Sequence, residues 1–370
     1  MTMGYSNAYV NTAEDGFRAL LNISVSHRTG EEMTETEYTW IWSVILNSWF
    51  PGFALGSCIA STFADVYGRK RTLLVGNVLT FLSVVSVTVA VALEVLELLL
   101  ISRLCSAIGS GISMCALAKV VNLKFEFPPI TNKHDDDKVN HFLDGLCEVR
   151  EKNTSLREIF LLPHIIFGLL LGILSLHVTT SIWPIVYYST EFLRRANVST
   201  ELSEYVSSVM LVLSTCATLI GLLVIDKFSR RGMFIFVSLA NVICLLSFVV
   251  FSQMEKYEHI DLWEYGCVIA IFGHGITYSF ATGPIAWFIT SELVPTQYRA
   301  KCQSISLFIN QLTSFALTLI VLPLYNLIDS FALLVLFVVP ISVCLVILYK
   351  LLPETKGRDI VDIVQELRIK

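Results

Sequence analysis

Two short segments of this chain carry the same arrangement of charge. Asp65-Val66-Tyr67-Gly68-Arg69-Lys70-Arg71 and Asp226-Lys227-Phe228-Ser229-Arg230-Arg231 each place a carboxylate four residues ahead of a basic pair. A guanidinium forks onto carboxylates and onto the open carbonyls at helix ends, so such a segment can clamp neighbouring helix ends together. Anchoring at a lipid surface is the simpler alternative for either segment taken alone. A second set of groups lies inside a long apolar run, where His177, Thr179 and Thr180 offer hydrogen-bond donors and acceptors. Polar groups there are costly in lipid and usually face a cavity. His177 therefore reads either as a contact for a polar solute or as an interhelical hydrogen bond, and His274, between Gly273 and Gly275, reads as a structural hydrogen bond. No Ser/His/Asp grouping, phosphate-binding Gly-x4-Gly-Lys-Ser/Thr loop or Cys-x-x-Cys pair is present, so neither catalysis, a cofactor nor a metal is expected. The nine cysteines are spread singly and read as small packing residues. The run His134-Asp135-Asp136-Asp137-Lys138 with His141 reads as solvated charge rather than a metal site.

The elements that must position these groups follow from composition. Of 370 residues, 54% are hydrophobic and 15% charged, the net charge is −5 and the mean hydropathy is +0.67. A water-soluble domain carries about a quarter charged residues. This balance excludes a disordered chain, a nucleic-acid-binding domain and an ordinary cytosolic enzyme, and leaves a polytopic membrane protein. Runs with at most one charge occupy 41–63, 72–93, 98–118, 159–190, 205–225, 232–254, 265–291, 302–328 and 330–349. A helix needs about 20 residues to cross the hydrocarbon. Each run is that long and lacks the period-two alternation of a barrel strand, so an all-α bundle with about nine transmembrane helices is expected. The run at 159–190 should span from about residue 165, and Arg103 should snorkel from the outer end of its span.

Positive charge fixes the expected direction. If the loop after the first span is cytoplasmic, 20 of the 26 Lys and Arg fall in inside segments and 5 outside. The resulting organisation is an extracellular arm (1–40), an N-terminal bundle (41–121), a cytoplasmic loop (122–163), a six-helix C-terminal bundle (164–352) and a cytoplasmic tail (353–370). Among the Asn-x-Ser tripeptides, those beginning at Asn22 and Asn197 fall outside, where glycans are added, and the one at Asn153 falls inside. Two related loops in matching positions, each leading from one span to the next, suggest repeated halves that rock about a central site, the usual build of a secondary transporter.

At this point the chain resembles a family. The first loop is similar to the signature Gly-x-x-x-Asp-Arg-x-Gly-Arg-Arg of the major facilitator superfamily, with Ser61 for the first Gly and Val66 for the Arg. Ser102-Arg103-Leu104 with Gly109 and Gly111, Tyr187-Tyr188-Ser189-Thr190, Gly283-Pro284-Ile285-Ala286-Trp287-Phe288-Ile289 and the pair Glu292 and Arg299 resemble its sugar-transporter branch, of the facilitative glucose-transporter type. Pro353-Glu354-Thr355-Lys356-Gly357-Arg358 matches that branch's C-terminal signature. The resemblance covers about residues 4–121 and 155–365. It implies alternating-access transport of a hexose or similar solute at the plasma membrane, with lipid and a small solute as partners. It also implies a cytoplasmic clamp built from Asp65, Gly68, Arg69, Lys70, Asp226, Arg230, Arg231, Glu292 and Arg299.

The departures from the family are as specific as the matches. The family has twelve helices. Here its helix 1 is missing, and helices 5 and 6 are missing after about residue 118. A truncated, non-transporting relative of a carrier is the competing expectation. On the family's helix 7, His177-Val178-Thr179-Thr180-Ser181-Ile182-Trp183 stands where Gln-Gln-Leu-Ser-Gly-Ile-Asn is usual. By position, His177, Thr180 and Trp183 on helix 7, Ser214 on helix 8, Ser279 and Trp287 on helix 10, and Asn310 and Gln311 on helix 11 are the implied solute contacts. Trp287 can stack on a sugar ring or anchor at the interface. Gly283-Pro284 should break or bend helix 10.

Overall fold

The computed structural model describes residues 14–30, 33–126, 156–258, 261–358 and 360–369. Among these, nine stretches are long and apolar enough to cross a membrane: Trp40–Ala60, Lys70–Leu93, Leu96–Ala116, Pro163–Arg195, Thr200–Val224, Arg230–Glu258, Leu262–Leu293, Gln297–Ile328 and Phe331–Leu351. They lie where the uncharged runs lie. The arm ahead of them is helical, with α1 (Glu14–Thr29) followed by α2 (Glu35–Asn47). Thr34 and Glu37 start α2 with a capping box, in which Glu37 accepts the Thr34 N–H at 2.9 Å and Thr34 Oγ1 accepts the Glu37 N–H at 3.4 Å.

A first group contains α3 (Trp49–Val66), α4 (Arg69–Leu93) and α5 (Leu96–Glu126). Lipid tails are as apolar as leucine, so packing here depends on close backbone approach. A Cβ at Gly56 of α3 would overlap the Ile108 carbonyl of α5, and one at Gly109 would sit 2.7 Å from the Gly76 carbonyl of α4. The opposite face of α4, including Leu74, Val78, Phe81, Leu82 and Val85, is exposed as a lipid-facing surface. Arg103 of α5 does not snorkel. It is 3% exposed, and its guanidinium donates to the Leu46 carbonyl at 3.4 Å, beside the Tyr187 hydroxyl.

The second group begins with the short α6 (Leu156–Leu161) and continues through α7 (Pro163–His177), α8 (Ile182–Arg195), α9 (Thr200–Val224), α10 (Arg230–Glu258) and α11 (Asp261–Thr277). It is completed by α12 (Gly283–Leu293), α13 (Thr296–Ile328), α14 (Phe331–Leu333), α15 (Val339–Leu351) and the tail helix α16 (Ile360–Ile369). The run expected as one helix at 159–190 is interrupted at 178–181. Thr179 and Thr180 turn their hydroxyls back onto the Leu176 and His177 carbonyls at 2.6 and 2.8 Å. Their main-chain N–H groups also close tight i→i−3 turns there. Pro184 has no N–H to give the Thr180 carbonyl, so a regular helix cannot run through.

Two further prolines are absorbed differently. Ahead of Pro284 the chain widens into a π turn, Tyr278–Thr282, in which the Gly283 N–H reaches the Tyr278 carbonyl. Ahead of Pro340 a second π turn, Leu334–Val338, does the same through Val339 and Leu334. The break or bend expected at Gly283-Pro284 is thus a one-residue widening that keeps the helix running. Pro284 leaves the Phe280 carbonyl without its helical donor, and α9 closes on that oxygen at Gly221, where any Cβ would overlap it.

Candidate functional site

Chemistry-bearing groups collect in two places. The first is the end of the bundle at which α10 begins, α12 ends and α15 ends. Arg230 pairs with Glu292 of α12 and sits 5.6 Å over the Phe288 ring, while Asp226 lies 3.9 Å from it and is mostly solvent-exposed. Arg231 donates to the Tyr349 carbonyl of α15 at 2.5 Å. Glu354 completes the arrangement. It accepts the Ser229 hydroxyl, the Arg230 N–H at 3.0 Å and the Arg231 N–H at 3.3 Å, so a carboxylate from the C-terminal signature caps α10. Partial burial pushes its carboxyl up. Hydrogen bonds from Ser229 and from the main chain of Lys356, Arg230 and Arg231 outweigh that and hold it below the usual value.

Four more positions of the signature have structural roles. Pro353 and Thr355 are buried, Gly357 turns the chain at φ +66°, and Arg358 pairs with Glu366 of α16 at 2.6 Å. That pair directs α16 back under α7 and α12, where Ile363 and Leu367 are buried. In the first loop Gly68 turns at φ +83° and Lys70 is exposed, whereas the side chains of Asp65 and Arg69 lie outside the described ones. Arg299 is buried near the start of α13. The sequon at Asn153 and the acidic run at 134–141 also lie outside the described residues.

The second place is along α13, which packs on α3 of the first group and on α7 of its own. One face of α13 carries Gln303, Ser306, Asn310, Gln311, Ser314 and Thr318, none more than 7% exposed. Each has a buried side-chain atom without a hydrogen-bond partner, and in Gln311 both amide atoms are unpartnered. Several buried helical hydroxyls elsewhere, such as Ser57, Thr80 and Ser175, turn back onto their own helix, as does Thr313 on the outer face of α13, while Ser106, Ser252 and Thr290 stay single unpartnered hydroxyls on three other helices. Ser306, Ser314 and Thr318 do not turn back either. From Gln303 to Thr318 the line rises about 22 Å, three-quarters of a hydrocarbon core of about 30 Å.

The other implied contacts are placed less uniformly. Asn310 donates to the Leu176 carbonyl at 2.9 Å, capping the end of α7, and keeps Oδ1 unused. Thr180 is buried and spends its hydroxyl on its own turn, and His177 is partly exposed beside it. Trp183 lies 5.3 Å from Trp49 and 5.5 Å from Phe50, within an aromatic cluster that reaches Tyr187. Trp287 meets Phe53 edge-on at 6.3 Å, and its carbonyl takes the Gln303 amide at 2.7 Å. Ser279 is partly exposed on the π turn, and Ser214 of α9 faces Gly275 of α11. Sequence reasoning did not single out the aromatic side chains of α3 or the contributions of Gln303, Ser306 and Thr318. The signal for the last three was a polar recurrence every three or four residues within an apolar run.

The described residues form an all-α bundle with interrupted membrane helices and an ion-pair cluster at one end, and its likeness to known folds and to a transporter family places it in the major facilitator superfamily. Among solved structures, the proton:xylose symporter XylE bound to 6-bromo-6-deoxy-D-glucose aligns with 100% of this chain and 96% of its own, at 16% identity and a TM-score of 0.73. The inward open xylose transporter XylE from E. coli aligns over the same shares with a TM-score of 0.65. The family model for sugar (and other) transporters matches residues 1–122 and 130–367, and the chain belongs to that family. Its relatives include the facilitated glucose transporter member 1 of Gallus gallus, 20% identical across 100% of this chain and 91% of that protein. Member 3 of Mus musculus is 22% identical across 97% and 89%.

Proposed function

We propose that this chain is a facilitative carrier for a hexose or similar polyol, working by alternating access between its two helix groups. The observation that carries this reading is the line of unused amide and hydroxyl groups on α13. A hydroxyl-rich solute donates and accepts at every carbon, and Gln311, Asn310 Oδ1 and Ser314 offer both functions at mid-membrane. His177, Thr180, Trp183, Ser214, Ser279 and Trp287 would surround them. The charge asymmetry favours a cytoplasmic C-terminus, so the Arg230–Glu292 clamp would act on the cytoplasmic side. The names of the relatives, glucose transporters and a xylose symporter, support the solute class, and a plasma-membrane address is proposed with it. Uptake of labelled hexoses and polyols into proteoliposomes tests the reading. Saturable uptake that falls at least about tenfold in Gln311→Leu is expected, the size of one lost buried hydrogen-bonding group.

A second reading has its own observation. Trp49, Phe50, Trp183 and Tyr187 pack ring against ring between the two helix groups. If the family's helices 1, 5 and 6 are lacking, this plug would close a path with one wall missing, and the chain would be a non-transporting relative. No uptake of any solute by correctly inserted protein would favour it.

A further inference from the structure

Two positions at which the chain departs from the family pattern meet inside the second helix group. Ser181, where the helix 7 pattern has Gly, ends the turn between α7 and α8. His274 lies on α11, four residues before the π turn at Tyr278–Thr282. Ser181 Oγ is 3.1 Å from His274 Nε2, and both residues are 1% exposed. The bond therefore joins two of the places where membrane helices of this group lose regular geometry: the interruption at 178–181 and the widening at 278–282.

The surrounding bonds show what the ring alone contributes. Asn241 of α10 donates to the His274 carbonyl at 2.8 Å and to Thr277 Oγ1 at 3.0 Å, while Thr277 Oγ1 donates to the Gly273 carbonyl at 2.7 Å. Ser238, also on α10, donates to Thr282 Oγ1 at 3.1 Å. Thus α10 holds the π turn from both ends through main-chain and hydroxyl groups, and none of these bonds reaches the α7–α8 turn. The imidazole does. Its other nitrogen, Nδ1, is buried without a partner. A fully buried ring that uses one of its two nitrogens has unspent bonding capacity for a second arrangement of the same joint.

We infer that the Ser181–His274 hydrogen bond is a coupling joint that makes the α7–α8 interruption and the α11 π turn open and close together, and that His274 is a positioning residue of the transport cycle. The cycle is part of the carrier reading above; the joint itself stands on the geometry. Interruptions in helices are where backbone angles change during domain motions, and a single bond linking two of them converts independent openings into one. Loss of one buried hydrogen bond should change the shared opening on the order of tenfold.

The test is a double-mutant cycle on the full chain in lipid nanodiscs, read by amide hydrogen exchange. Ser181→Ala should speed exchange at 278–282, and His274→Phe should speed it at 178–182, each on the order of tenfold. The double variant should be no faster than either single one, and His274→Gln, which keeps a donor and an acceptor, should restore the slow rate. Substitutions that each loosen only their own segment would overturn the joint; should His274→Phe fail to fold, Ser181→Ala and His274→Gln still give this answer. In proteoliposomes, Ser181→Ala should lower the maximal uptake rate about tenfold with KM within about twofold. Unchanged maximal uptake alongside coupled exchange would overturn the positioning role. Wild-type protein that transports nothing while its exchange remains coupled would sink the carrier reading, and with it the positioning role, and leave the joint standing.

Discussion

Glu354 closes the first turn of α10 from 124 residues away in sequence, with its carboxylate accepting the main-chain N–H of Arg230 at 3.0 Å. The first N–H groups of a helix have no internal partner, and here the C-terminal signature supplies one. Glu354→Ala should cost about 0.5–2 kcal/mol, typical of a lost cap, and lower the thermal midpoint in detergent. The pH dependence has a definite sign. The folded carboxyl lies below its ordinary 4.5, so its contribution is complete above that value and is lost as pH falls through the lower folded value. The wild-type advantage over Glu354→Gln should therefore shrink below about pH 4.5. An advantage that grows on acidification would contradict the capping role.

Gly221 and Phe280 make a second exact fit. Gly221→Ala should destabilise the bundle by about 1–3 kcal/mol, because the obstacle is a main-chain oxygen that cannot rotate away. Gly16→Ala in α1, where nothing lies within 4 Å of the new methyl, should be neutral or stabilising by up to about 1 kcal/mol. Thermal unfolding of the two variants side by side decides whether close approach or chain flexibility governs these glycines.

Gln311 should trade stability for activity. Replacing its amide with Leu removes two unpartnered buried atoms and should raise stability by about 1–3 kcal/mol while uptake falls. Thr313→Val, on the outer face of the same helix, should leave uptake unchanged. A Gln311→Leu protein that is less stable would show that the amide has protein partners after all.

The two sequons expected outside differ in which amide atom is engaged. Asn22 uses its carbonyl oxygen, which accepts the Met33 N–H at 3.1 Å. Asn197 uses its nitrogen, which donates to both oxygens of buried Glu255 at 2.8 and 2.9 Å, and a glycan would need that atom. Glycosidase treatment should shift the wild type and Asn197→Gln on a gel, but not Asn22→Gln. A shift that depends on Asn197 would mean that the Glu255 contact forms only in unmodified chains.

The legible part of the fold was whatever depends on transfer energy. Spans and their expected direction follow from where Lys, Arg, Asp and Glu are tolerated in lipid, and the acid–basic spacing marked Asp226 and Arg230 as one unit. Partners separated by many residues were not legible. Nothing local tells that Arg103 meets Leu46 and Tyr187, or that His274 meets Ser181. The interruption at 178–181 hid in an uncharged run because hydropathy counts Thr and Ser without their hydroxyl bonding. Pro284 was read as a break or bend because nothing local shows that the chain ahead of it can widen into a π turn, with α9 close to the Phe280 carbonyl at Gly221. The capping box Thr34–Glu37 went unread in the arm, although Thr-x-x-Glu ahead of an apolar run is the signal for such a helix start.

The most direct test of the account is counterflow of labelled hexose in proteoliposomes containing the wild type or Gln311→Leu, each confirmed as inserted. The account predicts saturable exchange by the wild type, inhibited by unlabelled polyol and reduced at least about tenfold in the variant. Equal exchange by both proteins would remove α13 from the solute path, and no exchange by either would contradict the claim that this chain carries a hydroxyl-rich solute.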